Sequence, residues 1–325
     1  MADQMTLSQL YLKGREGLTA VGYTRPLPPD AALGAPLTVN RAYLDSLFFA
    51  PRFLSSTVAD TSSTILGVPV SVPVFCGPMA GWSQLGETAL EEAARGLKAA
   101  GAVLTLGIGG SDEMQKAIDT GVPVAKIVKP YRNTGLIFKK LEDAERRGCF
   151  AVGMDIDHFH GRLVGDAVDL DETFGPQSVE TMRAAIAATR LPFIVKGVLS
   201  VDDAKQAVEL GAKALVVSNH GRAAIDCTLP SVVALPDVVA AVGSCVEVYV
   251  DTGFRTGNDI VKALAMGARA VGFANSVLLA WGAGREDGVR RLVELLGAEM
   301  RRTMAALGCP DCDSVRDVPL RQVVV

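Results

Sequence analysis

The sequence predicts an α/β fold and, within that class, a closed (β/α)8 TIM barrel with an N-terminal extension. Three features predict it: short apolar runs recur from Val72 onward, amphipathic segments separate them, and glycines stand where those segments end. Near-continuous apolar strands are typical of a parallel sheet covered on both faces. Eight strand–helix units in series favour closure into a barrel, and an open, doubly wound sheet is the alternative.

Composition indicates a cytoplasmic enzyme that acts on a small molecule. A formal charge of −4 over 325 residues gives no electrostatic reason to expect a nucleic acid or an anionic membrane as partner. No apolar run reaches the length of a membrane span, and the first residues lack the basic and apolar pattern of an export signal. Six scattered cysteines suit a reducing compartment better than a disulfide framework.

The chain is expected to divide near residue 70. Residues 1–70 are predicted to be an irregular extension packed on the barrel, because prolines at positions 26, 28, 29 and 36 interrupt the first part. A short amphipathic helix is expected over Asn40–Phe49. Residues 71–325 are predicted to form the barrel with a C-terminal helix and tail.

The barrel elements are predicted in order along the chain. The strands are Val72–Cys76, Ala102–Leu106, Val122–Val128, Phe150–Asp155, Phe193–Lys196, Ala214–Ser218, Val246–Asp251 and Ala270–Phe273. The helices include Glu87–Ala99, Leu136–Arg147, Val179–Thr189, Val201–Leu210 and Asp259–Met266. Ser178 and Ser200 are the expected N-caps of two helices. Left-handed helix ends are expected at Gly101, Gly121, Gly148, Gly211, Gly243 and Gly267.

In a parallel barrel the carboxyl ends of all strands open on one rim, and active sites lie there. Polar or small residues follow the predicted strands at these ends, so they are expected to form one site. The rim is predicted to collect Pro78, Met79, Ala80, Gly107, Lys129, Asp155, Lys196, Ser218, His220, Asp251 and Asn275.

Three of these residues are the candidate catalytic groups. His220 follows the apolar run Ala214–Val217 after two polar residues, and an imidazole at such a strand end can act as a base. Asp155 ends another strand and could orient that imidazole and stabilise its cation. Lys196 could form a Schiff base or stabilise negative charge on a bound ring.

A metal site is not predicted. Four possible metal ligands lie close together at and after the end of one predicted strand, namely Asp155, Asp157, His158 and His160. The chain has only three histidines, however, and no third strand end adds a histidine or cysteine ligand.

A phosphate site is predicted after the last two strands. The segment from Asp251 to Gly257 reads D-T-G-F-R-T-G and combines flexible glycines, an arginine and the start of a helix, all of which suit an anion. Gly272-Phe273-Ala274-Asn275 follows the last strand. Barrels commonly hold phosphate in these two loops.

The segment Lys196–Gly221, K-G-V-L-S-V-D-D-A-K-Q-A-V-E-L-G-A-K-A-L-V-V-S-N-H-G, resembles the FMN-dependent α-hydroxy-acid oxidases and dehydrogenases. Glycolate oxidase, lactate oxidase and the flavin domain of flavocytochrome b₂ belong to this family. The resemblance extends through Asp251–Arg255 and Ala263–Val271 and covers about residues 40–312.

The resemblance implies an FMN enzyme that oxidises a small 2-hydroxy acid and forms a homo-oligomer, a tetramer. It implies that His220 is the base, that Asp155 is its partner, and that Lys196 lies by N1 and O2 of the flavin. The expected cofactor-binding residues are Pro78, Met79, Ala80, Lys196 and Ser218 for the ring, and Asp251, Gly253, Arg255, Ala274 and Asn275 for the phosphate.

The chain also departs from the family pattern. The family's substrate-binding arginine corresponds to Ala223, so Arg222 and Arg162 are the candidate carboxylate anchors. Asn275 stands where an arginine usually contacts the phosphate, and the segment between Asp155 and Lys196 is short. Polar residues that face the flavin in the family correspond to Gly107, Ala125 or Lys126, and Gly153. An isomerase of the FMN-dependent isopentenyl-diphosphate type, or a barrel that binds FMN without turnover, is the alternative.

Overall fold

A computed structural model of the chain describes residues 5–23, 35–159, 162–164, 167–169, 173–222, 225 and 227–323. Eight parallel strands close into a barrel, each pairing with the next barrel strand along the chain and the last pairing back to the first. These strands are β4 (Val74–Met79), β5 (Val103–Leu106), β6 (Val124–Val128), β7 (Ala151–Asp155), β10 (Phe193–Val198), β11 (Ala214–Val217), β12 (Glu247–Val250) and β13 (Ala270–Phe273).

Helices surround the barrel, and short strands form three small sheets outside it. The helices are α1 (Leu7–Ala20), α2 (Ala35–Ser46), α3 (Ala89–Ala99), α4 (Ser111–Asp119), α5 (Thr134–Arg147), α6 (Val179–Ala187), α7 (Val201–Glu209), α8 (Ser231–Val242), α9 (Gly257–Ala265) and α10 (Asn275–Leu307). The remaining strands are β1 (Leu47–Phe49), β2 (Ser63–Ile65), β3 (Val68–Val70), β8 (Arg162–Val164), β9 (Ala167–Asp169) and β14 (Leu320–Gln322).

The predicted barrel is confirmed, and the open doubly wound sheet is wrong. Each of the eight predicted strands is present, with ends that differ from the prediction by at most three residues. Alternate residues of each strand point inward, where Phe75, Ile127, Ile194 and Tyr249 belong to one buried interior cluster. The barrel is therefore filled by side chains, and chemistry is confined to its ends.

The expected helix ends are mostly present. The Ser178 and Ser200 hydroxyls accept hydrogen bonds from the backbone N–H groups of Thr181 and Asp203, as N-caps do. Five of the six glycines take positive φ angles, namely Gly101, Gly121, Gly148, Gly211 and Gly267. Gly243 is the exception, since its φ of −64° continues the right-handed turn and its N–H donates to Val239 O.

The expectation of an irregular N-terminus is wrong for Leu7–Ala20 and Ala35–Ser46, which are helices, whereas residues 50–62 are largely without regular secondary structure. Helix α1 begins at a capping box, in which Thr6 and Gln9 bond each other's backbone N–H groups. Helix α2 ends at Ser46, so the predicted helix over Asn40–Phe49 is also wrong at its end. There the chain becomes β1, which pairs antiparallel with β14. The boundary between extension and barrel at residue 70 stays a prediction.

The hairpin of β2 and β3 lies against the amino end of the barrel. Ile65 and Val70 join the interior cluster, and Leu66 N–H donates to the Glu247 carboxylate at 3.2 Å. Glu247 begins β12 and also accepts from the Tyr249 hydroxyl at 2.6 Å. The amino end is thereby closed, which leaves the carboxyl rim for a ligand.

Helix α10 carries many charges and bends at Gly284 and Arg285, whose backbone angles are not helical. Among the described helices, none combines the length and the hydropathy needed to cross a membrane.

Helices α1 and α10 approach closely because glycines line their contact. A Cβ atom on Gly14 would overlap the carbonyl oxygen of Leu279, and one on Gly17 would overlap that of Gly282. A Cβ on Gly282 would in turn lie 2.5 Å from Gly14 O. The missing side chains allow the two backbones to touch, so α1 is tied to the barrel.

Gly17→Ala should lower the free energy of unfolding by about 1–3 kcal/mol, the usual range for overpacking. The gain in helix propensity, up to about 1 kcal/mol, is too small to offset the overlap with Gly282 O. Denaturant unfolding measures the change. Glu16→Ala, on the exposed side of α1, is the matched control and should change stability by less than about 0.5 kcal/mol. Equal stability of Gly17→Ala and the wild type would contradict this packing.

Candidate active site

The carboxyl ends of β7, β10, β11 and β12 bring five predicted residues together. Lys196 Nζ lies 3.1 Å from Asp155 Oδ1 and 3.7 Å from Asp251 Oδ2. It also lies 3.2 Å from Ser218 Oγ and 3.3 Å from His220 Nδ1. Lys196 is therefore the central cation of the rim.

Asp155 is fully buried between two lysines. Its Oδ2 atom accepts a hydrogen bond of 2.6 Å from Lys129, which follows the end of β6. Burial alone would raise the pKa of Asp155, but the charges of Lys129 and Lys196 outweigh it and hold the pKa well below its ordinary value. Conversely, burial acts to lower the pKa of Lys196, and Asp155 and Asp251 more than compensate and raise it. Both groups are charged at neutral pH.

His220 is held in an unusual backbone conformation. Its φ is +52° and that of Gly221 is +59°, so the chain makes a left-handed turn at the end of β11. The Ser218 hydroxyl accepts the N–H of His220 at 3.1 Å and stabilises the turn. A left-handed non-glycine residue is costly, and such residues cluster at functional sites.

The carboxylate closest to the imidazole is that of Asp157, and not that of Asp155 as the resemblance implied. His220 Nδ1 lies 3.2 Å from Asp157 Oδ1 and 3.8 Å from Asp155 Oδ1. Asp155 instead pairs with the two lysines, by a hydrogen bond from Lys129 to Oδ2 and an ion pair of Oδ1 with Lys196. The sequence drew attention to Asp157 only as part of the rejected metal pattern. The sequence predicted that Lys129 lies on the rim, but it predicted no role for this lysine.

Asp155, Asp157 and His220 offer three possible ligand atoms within 4.8 Å of one another. Lys129 and Lys196 already neutralise Asp155, and a cation added there would meet two ammonium groups. The arrangement is therefore that of an ion-pair network.

An aromatic wall continues from His220. The ring of His158 lies 5.3 Å from that of His220 and 5.3 Å from that of Phe174, and Phe174 lies 5.3 Å from Tyr131. Burial, with a contribution from Lys129, lowers the pKa of His158 to about 4. His158 is thus a neutral, largely apolar neighbour of His220 at pH 7.

The predicted phosphate loops carry unsatisfied donors. Thr252 and Gly253 both take positive φ, and no described residue accepts a hydrogen bond from their N–H groups or from that of Ala274. Thr256 caps α9 immediately beyond. Arg255 is partly exposed beside them, and Asn275 is exposed at the start of α10. Free backbone donors, a helix start and a guanidinium fit the phosphate of FMN.

The other predicted cofactor positions lie at the same rim. Pro78 and Met79 end β4 partly exposed, and Ala80 after them is exposed. Inside the barrel, Ala125 belongs to the buried cluster, whereas Lys126 faces the opposite side of β6. There Lys126 donates to Gly107 O at 2.6 Å, and burial lowers its pKa to about 8. Of these two residues, Ala125 is therefore the one that faces the interior of the barrel.

For the two candidate carboxylate anchors, the structure describes only the position of the backbone. Arg222 ends the turn that begins at His220, and Arg162 begins β8. Their side chains lie outside the described residues, as does Ala223 altogether.

Neutral His158 should make the protein less stable in weak acid. Because its pKa is lowered from 6.5 to about 4 on folding, its contribution to stability is complete above pH 6.5 and is lost as the pH falls toward 4. His158→Phe, which keeps an aromatic ring against Phe174, should flatten the curve of Tm against pH in this window. Losses below pH 4 should remain, because there the unfolded chain takes up protons on Asp155 and Asp157, whose pKa values are lowered in the folded protein. An unchanged slope between pH 6.5 and 4 would argue against a neutral buried His158.

A family model described as FMN-dependent dehydrogenase matches residues 30–164 and 169–322 of the chain. The chain is 32% identical to 4-hydroxymandelate oxidase of Amycolatopsis orientalis, over 90% of this chain and 91% of that protein. It is 28% identical to glycolate oxidase of Spinacia oleracea, over 84% of each protein. It is 29% identical to L-lactate oxidase of Nostoc sp., over 86% of this chain and 88% of that protein.

Solved structures of mandelate oxidase have the same fold as this chain. A mandelate oxidase variant crystallised with 2-hydroxy-phenylacetamide superposes with a TM-score of 0.88 at 30% identity, covering 99% of both chains. Mandelate oxidase with (S)-4-hydroxymandelic acid gives 0.87 at 29% identity, covering 99% of this chain and 100% of that one. The family match spans most of the chain and the free donors of the rim suit its cofactor. The chain therefore belongs to the FMN-dependent dehydrogenase family, the family of the α-hydroxy-acid oxidases, and its cofactor is FMN.

Proposed function

We propose that the protein oxidises a 2-hydroxy acid to the corresponding 2-oxo acid, with His220 as the base that takes the proton of the substrate hydroxyl. The observation that carries this function is the fixed imidazole at the rim, bonded to Asp157 and 3.3 Å from the Lys196 ammonium. A positioned imidazole next to a fixed cation suits proton removal from a substrate that develops negative charge. The relatives named above are oxidases, so an isopentenyl-diphosphate isomerase is not favoured.

The residues that would hold FMN are divided between two parts of the rim. When bound, FMN supplies the acceptor for the two electrons that leave the substrate carbon. Lys196 would place a permanent cation against the ring, and its pairs with Asp155 and Asp251 fix its position. The residues proposed to contact the ring are Pro78, Met79, Ala80, Lys196 and Ser218, and those proposed at the phosphate end are Asp251, Gly253, Arg255, Ala274 and Asn275.

An aromatic 2-hydroxy acid is the substrate class that this rim supports best. His158, Phe174 and Tyr131 form a continuous wall next to His220, and aromatic rings pack well against such walls. The 4-hydroxymandelate oxidase relative is named for an aromatic substrate. Arg222 and Arg162 remain the proposed anchors of the substrate carboxylate, because a guanidinium can hold a carboxylate at two points.

The protein is further proposed to be cytoplasmic and to form a homo-oligomer, a tetramer. The six cysteines are scattered along the sequence and do not form the pattern of a disulfide framework, which suits a reducing compartment. Phe53, Leu54 and Val58 are highly exposed apolar side chains close together in sequence, which is typical of a subunit contact. Light scattering of the purified protein tests the assembly, and a monomer would refute it.

The FMN-loaded protein should lose its yellow colour when mixed anaerobically with mandelate-type acids, and less readily with lactate or glycolate. His220→Ala should slow this bleaching by about 10²–10⁴-fold, the usual contribution of a general base, while FMN stays bound. His158→Ala is the comparison variant, which removes the neighbouring imidazole and leaves His220. Wild-type bleaching rates in His220→Ala would place the base elsewhere, and no bleaching of the wild type by any 2-hydroxy acid would refute the proposed activity.

Replacing the true carboxylate anchor should raise KM for the acid about 10–100-fold or more, because a hydrogen bond to a charged group is worth about 1.5–3 kcal/mol. Arg222→Met and Arg162→Met are the two variants to compare. Each keeps an unbranched side chain and removes the charge. If neither changes KM or kcat, both arginines are solvated charges of the rim and the carboxylate is held by other groups.

A further inference from the structure

Two carboxylates face the same nitrogen of His220, but they differ in what else they bind. Asp155 is engaged on both oxygens, by Lys129 at 2.6 Å and by Lys196 at 3.1 Å. Asp157 has no lysine or arginine within 4 Å among the described residues, and its Oδ1 atom lies 3.2 Å from His220 Nδ1. Asp157 is therefore available to accept a hydrogen bond from the imidazole N–H, whereas the charge of Asp155 is already balanced by its two lysines.

The backbone is arranged so that Asp157 reaches this position. Strand β7 pairs with β10 through Lys196 and Asp155, and Ile156 N–H extends the pairing by donating to Lys196 O at 2.8 Å. At the next residue of β10, Gly197, φ is +101° and the register of β10 with β11 shifts. A Cβ atom on Gly197 would lie 2.6 Å from Asp157 Cγ. The glycine thus leaves the space that the Asp157 carboxylate occupies.

His220 Nδ1 also faces a donor. Lys196 Nζ lies 3.3 Å away on the same nitrogen. A carboxylate can only accept a hydrogen bond and an ammonium can only donate one. Nδ1 therefore either carries the proton and donates to Asp157, or lacks it and accepts from Lys196. Only the first tautomer leaves Nε2 with the free lone pair that a base requires.

We propose that Asp157 is the positioning residue of the catalytic base: it holds His220 in the Nδ1–H tautomer against the competing Lys196. This inference rests on the proposed role of His220 and assigns to Asp157 what the resemblance assigned to Asp155. Asp155 instead holds Lys129 and Lys196 in place. The other groups that face the imidazole are Ser218, through the backbone of the turn, and the neutral ring of His158.

Nitrogen NMR of the full chain labelled with 15N-histidine tests the tautomer directly. Only three histidines contribute signals, and His220→Gln identifies the signal of His220. In the wild type, Nδ1 should be protonated and Nε2 should carry the lone pair. In Asp157→Ala the pattern should reverse, because Lys196 then donates to Nδ1. Asp157→Asn, whose amide oxygen can still accept from Nδ1–H, should retain the wild-type tautomer.

Asp155→Asn is the matched control, because it removes the same charge from the other carboxylate near the same atom. It should leave the His220 tautomer unchanged. A reversed pattern in Asp155→Asn together with an unchanged pattern in Asp157→Ala would overturn the inference. Circular dichroism and Tm show whether each variant is folded. If Asp155→Asn does not fold, the contrast between the tautomers of Asp157→Ala and Asp157→Asn is sufficient to test whether Asp157 positions His220.

Kinetics supply the second readout. Asp157→Ala should lower kcat for flavin reduction by about 10²-fold or more with KM changed less than about threefold, because a mispositioned base affects the reaction more than binding. Visible absorbance should show undiminished FMN, and Asp157→Asn should recover part of kcat. If the wild type oxidises no 2-hydroxy acid, the proposed function fails. The tautomer measurement still decides whether Asp157 or Asp155 positions His220.

Discussion

The buried ion pair of Asp155 with Lys129 and Lys196 is the interaction on which the rim depends. It joins the ends of three neighbouring strands, since Lys129 follows β6, Asp155 ends β7 and Lys196 lies in β10. Removing one partner of a buried pair typically costs about 3–5 kcal/mol, because the remaining charge is left without compensation. Lys196 and Asp155 are also register partners in the pairing of β10 with β7. Their ion pair therefore stabilises the strand register and balances the buried charges.

This network also explains why two aspartates are needed close to the imidazole. A carboxylate that neutralises two lysines has little capacity left to orient a histidine, and a carboxylate free of lysines can do so. The neighbouring Asp155 and Asp157 divide these tasks, with the turn after β7 separating their side chains. Burial of both acids is tolerated because each faces a group that is, or can become, positively charged.

The sequence predicted the barrel well because its strands are apolar throughout and end sharply in polar residues. It also predicted that Asp155, Lys196, His220 and Asp251 would meet, since the strand ends of a parallel barrel share one rim. It missed α1 although Thr6 and Gln9 form a local capping box, and the packing of that helix depends on glycine contacts with α10 that are distant in sequence. It could not distinguish Asp157 from Asp155, because that difference depends on the left-handed Gly197 and on two lysines distant in sequence.

The charges of the rim bear on how an acid substrate could be held. The described side chains place three carboxylates, Asp155, Asp157 and Asp251, against the two ammonium groups of Lys129 and Lys196. Both ammonium groups are already paired, so a substrate carboxylate entering beside His220 would add an uncompensated negative charge. A further cation is therefore needed to hold an acid substrate at this rim.

Two arginines lie close in sequence to the ends of β11 and β7. They are Arg222, two residues after His220, and Arg162, at the start of β8. Arg222 and Arg162 are therefore the proposed replacements for the arginine that the family resemblance places at Ala223.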